Sequence, residues 1–312
     1  MRFTLDDILA ARRRLVDVAI RTPLLQLHEV DDVWLKPEIL QPIGSFKLRG
    51  AHNAIAARLE AGPLDEVTTL SAGNMSQAVA WSARRLGLRA TAIMPESAPE
   101  FKKAATRGYG ASIELIPRPE VMAAMQDGRF NDRPGFIHPF NDPLVAAGNG
   151  TIGLEILEDL PDVETVIVPV GGGGLALGIA SAIKASHPDV RVFGVQPLGG
   201  SALAVSLAAG EPRTTPYDTF VDGAGAPFVS ADAFPDLQQM LAGCLTPTDD
   251  ETKSAIARLA LRNKLVTEGA GALAVAAALA LSRTERGRTV CILSGGSIDP
   301  PQLAEILRQH GG

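Results

Sequence analysis

Lys36-Pro37-Glu38-Ile39-Leu40-Gln41-Pro42-Ile43-Gly44-Ser45-Phe46-Lys47-Leu48-Arg49-Gly50-Ala51 sets Lys47 behind Gly-Ser-Phe, in a turn that can fix where its amine points. Among Phe46, Ile43 and glycines such an amine loses solvation, which lowers its pKa and frees the lone pair that attacks a carbonyl. Taken by itself this reading as a Schiff-base lysine competes with a plainer one, a lysine perturbed by an ordinary ion pair.

Outward from this stretch, apolar strand-like runs alternate with helical patterns, the signature of an α/β fold built on parallel sheet. A helix over 75–86 precedes a strand at 90–94, and a helix over 99–107 precedes a strand at 112–116, so one α/β unit lies between about residues 66 and 143. A second starts with a helix over 144–157. It continues with a strand at 165–170, a helix over 175–185, a strand at 190–195, helices over 249–263 and 271–281, and a strand at 289–293. Residues 199–225 read as the one long irregular stretch, and loops of that length are often functional.

Val166-Ile167-Val168-Pro169-Val170 runs into Gly171-Gly172-Gly173-Gly174 and then a helical pattern from Leu175. Residues without side chains let backbone N–H groups approach a phosphate, and the helix dipole favours its charge; a plain tight turn has the same composition. The spacing is not G-x-G-x-x-G, so no dinucleotide is indicated. Ser71-Ala72-Gly73-Asn74-Met75-Ser76-Gln77 opens another helix, where a serine or asparagine often serves only as a cap. Ser294-Gly295-Gly296-Ser297 follows a strand as a turn would. Glu268 stands where a helix-entry carboxylate is favourable, and a satisfied structural histidine is the plain account of His138.

Together, from about residue 24 to 297, these motifs resemble the pyridoxal-phosphate enzymes of the tryptophan-synthase β-chain superfamily, most closely its serine/threonine dehydratase and serine racemase branch. The resemblance implies a fold-type II enzyme: two open parallel-sheet domains with the cofactor, pyridoxal 5'-phosphate, in the cleft between them. Residues 1–60 and 144–312 would form a discontinuous large cofactor-binding domain, and 66–143 a small substrate-loop domain. Lys47 would hold the cofactor as a Schiff base, Phe46 would pack on its ring, and Gly171, Gly172, Gly173 and Gly174 would hold its phosphate. Ser71, Ala72, Gly73, Asn74 and Met75 match the loop that binds the substrate carboxylate, and Asn74 also the partner of the cofactor's phenolic oxygen. Met75 replaces the usual histidine, which implies a more apolar pocket. Ser294 would bond the ring nitrogen; a hydroxyl cannot keep a pyridine protonated, so the ring becomes a weaker electron sink, suited to β-elimination. Ser297 replaces a common asparagine. Glu268 would lie near the ring and Asn141 would face the substrate. Where the family often carries two acidic ligands for a divalent cation, this chain has Gln196 and Ala202, so no metal site is expected.

The implied activity is dehydration and deamination of a β-hydroxy amino acid, L-threonine or L-serine, to a 2-oxo acid and ammonia, with Lys47 also removing the α-proton. The segment after Lys47 resembles dehydratases more than β-replacement enzymes. A racemase would carry a serine in place of Ala72. A silent amino-acid sensor on the same fold is a further alternative, against which the intact Lys47 speaks.

Composition agrees. The 312 residues are 46% hydrophobic and 21% charged, ample for a buried core. A net charge of −6 and 4% aromatic content argue against a nucleic-acid partner, leaving a small-molecule amino acid as the expected one. The N-terminus, Met1-Arg2-Phe3-Thr4-Leu5-Asp6-Asp7, carries acids where an export signal needs an apolar run, and the run 271–281 is too short to span a bilayer, so no membrane partner is expected. Cys244 and Cys291 read as free thiols of a cytoplasmic protein, and a homodimer is expected.

Overall fold

Thr4 caps the first helix, Leu5–Arg14 (α1), in a reciprocal box with Asp7. There follow β1 (Leu25–Gln26), β2 (Val33–Lys36), α2 (Lys47–Ala61), β3 (Glu66–Leu70), α3 (Asn74–Arg85), β4 (Arg89–Pro95), α4 (Glu100–Gly108), β5 (Ser112–Ile116) and α5 (Arg118–Asp127). The second half runs α6 (Pro143–Asp159), β6 (Thr165–Pro169), α7 (Gly174–Lys184), β7 (Arg191–Val195), α8 (Ala202–Ala209), α9 (Phe234–Met240), β8 (Gly243–Leu245), α10 (Asp249–Arg258), α11 (Gly269–Ala280) and β9 (Thr289–Ile292). This computed structural model describes residues 3–311; Met1 and Arg2 of the N-terminal stretch lie outside the described residues.

The strands form two sheets. One has the order β1-β2-β9-β6-β7-β8, all parallel except edge strand β1; the other is the parallel set β3-β4-β5. Successive residues of a strand point to opposite faces, and both faces of this sheet are covered, so β6 and β9 are buried along their whole length and apolar apart from Thr165 and Thr289. Val166, Val168, Val290 and Ile292 pack into one core layer, while Ile167, Cys291 and Leu293 pack into the layer on the opposite face with α11. Helix α2 packs against both α3 and α6. Its Leu48, Ala51, Ala54 and Ile55 interleave with Met75, Ala78 and Val79 of α3.

Two expectations need correction. The stretch 199–225 is not irregular throughout: the Ala/Leu/Val run at 202–209 forms α8, whose Ala202 and Leu203 are fully buried. The helix over 249–263 stops being α-helical at Arg258 and ends in a π-turn, Leu259–Asn263, closed by Lys264 in the left-handed region at φ 60.

Candidate active site

Lys47 is the first residue of α2, and the turn before it is pinned to the segment after β9. Phe46 N donates to Ser294 O at 3.0 Å, and Ser45 bridges Gly295. Gly44 takes φ 72, a conformation that favours glycine. The Lys47 amine donates to Pro139 O at 2.8 Å and lies 5.0 Å from the centroid of the Phe46 ring. Burial lowers its pKa to about 8, with the Glu268 charge pulling the other way.

Below this turn lies a group of charges that sequence reading missed. Arg49, 1% exposed, donates Nε and Nη2 to the Glu38 carboxylate at 2.8 and 2.9 Å. Its Nη1 and Nη2 reach Glu155 at 2.6 and 2.9 Å. Lys36 reaches Glu155 at 2.7 Å and donates to Thr22 O at 2.6 Å. The only sequence signal was the presence of Lys36, Glu38 and Arg49 in an otherwise apolar stretch, and nothing local pointed to Glu155.

A cavity of about 450 Å³ opens at Lys47. Its walls include Phe46, Ser71, Ala72, Gly73, Asn74, Lys102, Arg118, Asp222, Glu268 and Ser294. Gly73 gives α3 no side-chain cap, so the first amides of that helix are left for an anion. Asn74 Nδ2 donates to Glu268 Oε1 at 2.8 Å. Burial pushes the Glu268 carboxyl up to about 8, helped by Asp222 and opposed by Lys102, Asn74 and Lys47. Lys102 and Asp222 form an ion pair at the same cavity.

The glycine loop lines an adjoining space that shares Phe46, Lys47, Pro139, Gly223 and Ser294 with the first. Gly173 ends the loop at φ 94 and leaves α7 without a side-chain cap. Side chains have no room here. A Cβ on Gly172 would run into the Phe140 ring, one on Gly174 would lie 2.8 Å from Phe140 O, and one on Gly171 would lie 2.9 Å from Gly223 O. Uncapped amides at a helix start, a deprotonatable amine and the Ser294 residue thus border connected cavities, and these residues fit a phosphate-bearing aldehyde such as pyridoxal phosphate.

Other expected site residues fall elsewhere. Asn141 does not line the Lys47 cavity; its Nδ2 reaches Asp232 at 3.3 Å in a neighbouring cavity. Met75 sits at the edge of the Lys47 cavity but is 1% exposed, its side chain packed among α2 and α3, so it adds little apolar surface to the pocket. His138 Nδ1 accepts from the backbone amides of Phe140 and Asn141 at 3.3 and 2.9 Å, and burial lowers its pKa to about 4, so it is neutral and structural. Gln196 and Ala202 are both fully buried. Cys244 and Cys291 are unpaired, and burial raises both to about 12. Among the described residues there is no cluster of His, Cys, Asp or Glu suited to a metal ion and no helix long and apolar enough to cross a membrane.

Comparison with known proteins decides the family. Residues 16–295 match the profile described as "Pyridoxal-phosphate dependent enzyme". The chain belongs to that family. It is 40% identical to an L-threonine ammonia-lyase of Geobacter sulfurreducens, over 97% of this chain and 76% of the relative. Among solved structures it is similar to a threonine deaminase of T.th. (TM-score 0.83, 35% identity, covering 95% of this chain and 99% of that one). It is also similar to the serine racemase of Dictyostelium discoideum (TM-score 0.85, 32% identity, covering 95% and 99%). This pyridoxal-phosphate enzyme therefore has the fold-type II architecture that its two parallel sheets display.

Proposed function

We propose that the protein is an ammonia-lyase that dehydrates and deaminates a β-hydroxy amino acid, L-threonine or L-serine, to a 2-oxo acid and ammonia. The observation that carries this reading is the shared cavity of Lys47, the uncapped start of α3 and Ser294, supported by likeness to proteins named for threonine ammonia-lyase and threonine deaminase activity.

When bound, the cofactor supplies the electron sink that makes the substrate α-proton acidic. Lys47 would hold its aldehyde carbon, Gly171–Gly174 its phosphate, Asn74 its phenolic oxygen, and Phe46 and Ser294 its ring. The segment Ser71–Gly73 and the first residues of α3, Asn74 and Met75, would orient the substrate carboxylate through backbone donors and the helix dipole. Once the substrate amine had displaced it from the aldehyde carbon, the free Lys47 amine, whose pKa burial lowers to about 8, could serve as the base that takes the α-proton. Glu268 fixes the Asn74 amide through its 2.8 Å hydrogen bond. Ala72, in the same wall, presents a methyl group that cannot donate a proton, which favours elimination over racemisation.

We further assign residues 1–60 and 144–312 to one lobe and 66–143 to the other, a division supported by the two separate sheets. A cytoplasmic location is supported by the unpaired thiols Cys244 and Cys291, and a homodimer is carried over from the family resemblance; sedimentation tests the dimer. For the activity, the test is release of 2-oxo acid from a panel of β-hydroxy amino acids. Release from L-threonine or L-serine is expected, and none from any member of the panel would overturn the reading.

A further inference from the structure

Gln196 follows β7 and is fully buried. Its Nε2 donates to Val170 O at 3.1 Å, and its Oε1 accepts from Leu203 N, in the first turn of α8, at 2.8 Å. Val170 immediately precedes the glycine loop. Its carbonyl also accepts from Gly225 N at 2.8 Å, and Gly223, two residues earlier, also lines the glycine-loop cavity. One side chain therefore ties the strand end that feeds the loop to α8, and the carbonyl it holds also receives the Gly223–Gly225 segment.

The consequence follows from peptide planarity. The Val170 carbonyl and the Gly171 N–H belong to one rigid trans unit, so holding the carbonyl fixes the direction of that N–H. The glycines that follow have no side chains to restrain them and are conformationally permissive. Their orientation is inherited from the two ends of the loop, α7 on one side and the anchored Val170 carbonyl on the other.

We propose that Gln196 is a positioning residue of the phosphate cradle: by anchoring the Val170 carbonyl it aims the Gly171–Gly174 amides, and affinity for the cofactor's phosphate depends on it. The proposal rests on reading that loop as the phosphate site.

The test is absorbance titration of the full chain, stripped of cofactor, with pyridoxal phosphate and with pyridoxal, which lacks the phosphate. Gln196→Met removes both side-chain hydrogen bonds. Gln196→Glu keeps an acceptor for Leu203 N but has no donor for Val170 O, and stands in if the first variant fails to fold. The expected result is a loss of pyridoxal phosphate affinity of about tenfold or more, the scale of one buried hydrogen bond, with pyridoxal affinity unchanged and a shifted ³¹P resonance of the bound cofactor. Unchanged pyridoxal phosphate affinity, or an equal loss for both ligands, would overturn the assignment. If the unmutated protein binds pyridoxal as tightly as pyridoxal phosphate, the cradle reading itself fails, an outcome visible before any variant is measured.

Discussion

Replacing Arg49 by leucine should destabilise the folded protein by about 3–5 kcal/mol at pH 8, the usual cost of leaving a buried charge without its partner. The magnitude follows from where the guanidinium sits. It donates to both oxygens of Glu38, which is itself 0% exposed. Without it Glu38 keeps only the Thr22 hydroxyl at 2.7 Å and the Gln41 amide at 3.1 Å, while the Lys36 amine is committed to Glu155 and Thr22 O. The effect also has a sign in pH. In the native protein burial would raise the Glu38 pKa, but Arg49, together with the Thr22 hydroxyl and the Lys36 charge, offsets this and holds the carboxyl below its ordinary value. That contribution to stability is therefore present above the unfolded carboxyl pKa and is lost as pH falls through the folded one. In the variant burial acts with little opposition, the folded pKa rises above the unfolded value, and stability is lost as pH rises. Urea unfolding followed by circular dichroism at pH 5 and pH 8 should show a deficit that is larger at pH 8. Adding Glu38→Gln to the variant should recover part of it there. A deficit under about 1 kcal/mol at pH 8, against the 3–5 kcal/mol expected for an orphaned buried charge, or one equal at both pH values, would refute the argument.

Lys47→Ala should abolish both the visible absorbance of the bound cofactor and turnover; near-normal turnover would remove Lys47 from the reaction. Ala72→Ser should introduce a low level of racemisation absent from the native enzyme, read as D-serine by chiral chromatography of residual L-serine, because a hydroxyl in this wall of the cavity can donate a proton where the Ala72 methyl cannot. D-serine from the unmutated enzyme would instead favour a racemase. Activity should survive exhaustive chelation, since Gln196 and Ala202 offer no carboxylates to a cation; loss on chelation that Mg²⁺ restores would place a metal site on other ligands.

Much of this protein is legible in one dimension because the deciding features are local. The apolar runs of β6 and β9 imply strands covered on both faces, and observed strands lie within a residue of the expected bounds at 165–170 and 289–293. The glycine loop between β6 and α7 is legible as a candidate anion site, since backbone amides need no partner elsewhere in the chain, although composition alone does not separate it from a tight turn. Where α8 forms, the signal was missed because the surrounding glycines and prolines masked eight helix-compatible residues. Partnership across distance was decided only by the tertiary structure. The Lys47 amine meets a carbonyl 92 residues away at Pro139, Arg49 meets Glu155 across 106 residues, and Asn74 meets Glu268 across 194. The same packing turned Asn141 toward Asp232 and buried the Met75 side chain between α2 and α3. Local propensity and periodicity determine which segments become strands, helices and turns. Which buried charge finds its counterion, and which side chain reaches the cavity, depends on how those segments pack, because desolvation and hydrogen bonding act through space rather than along the chain.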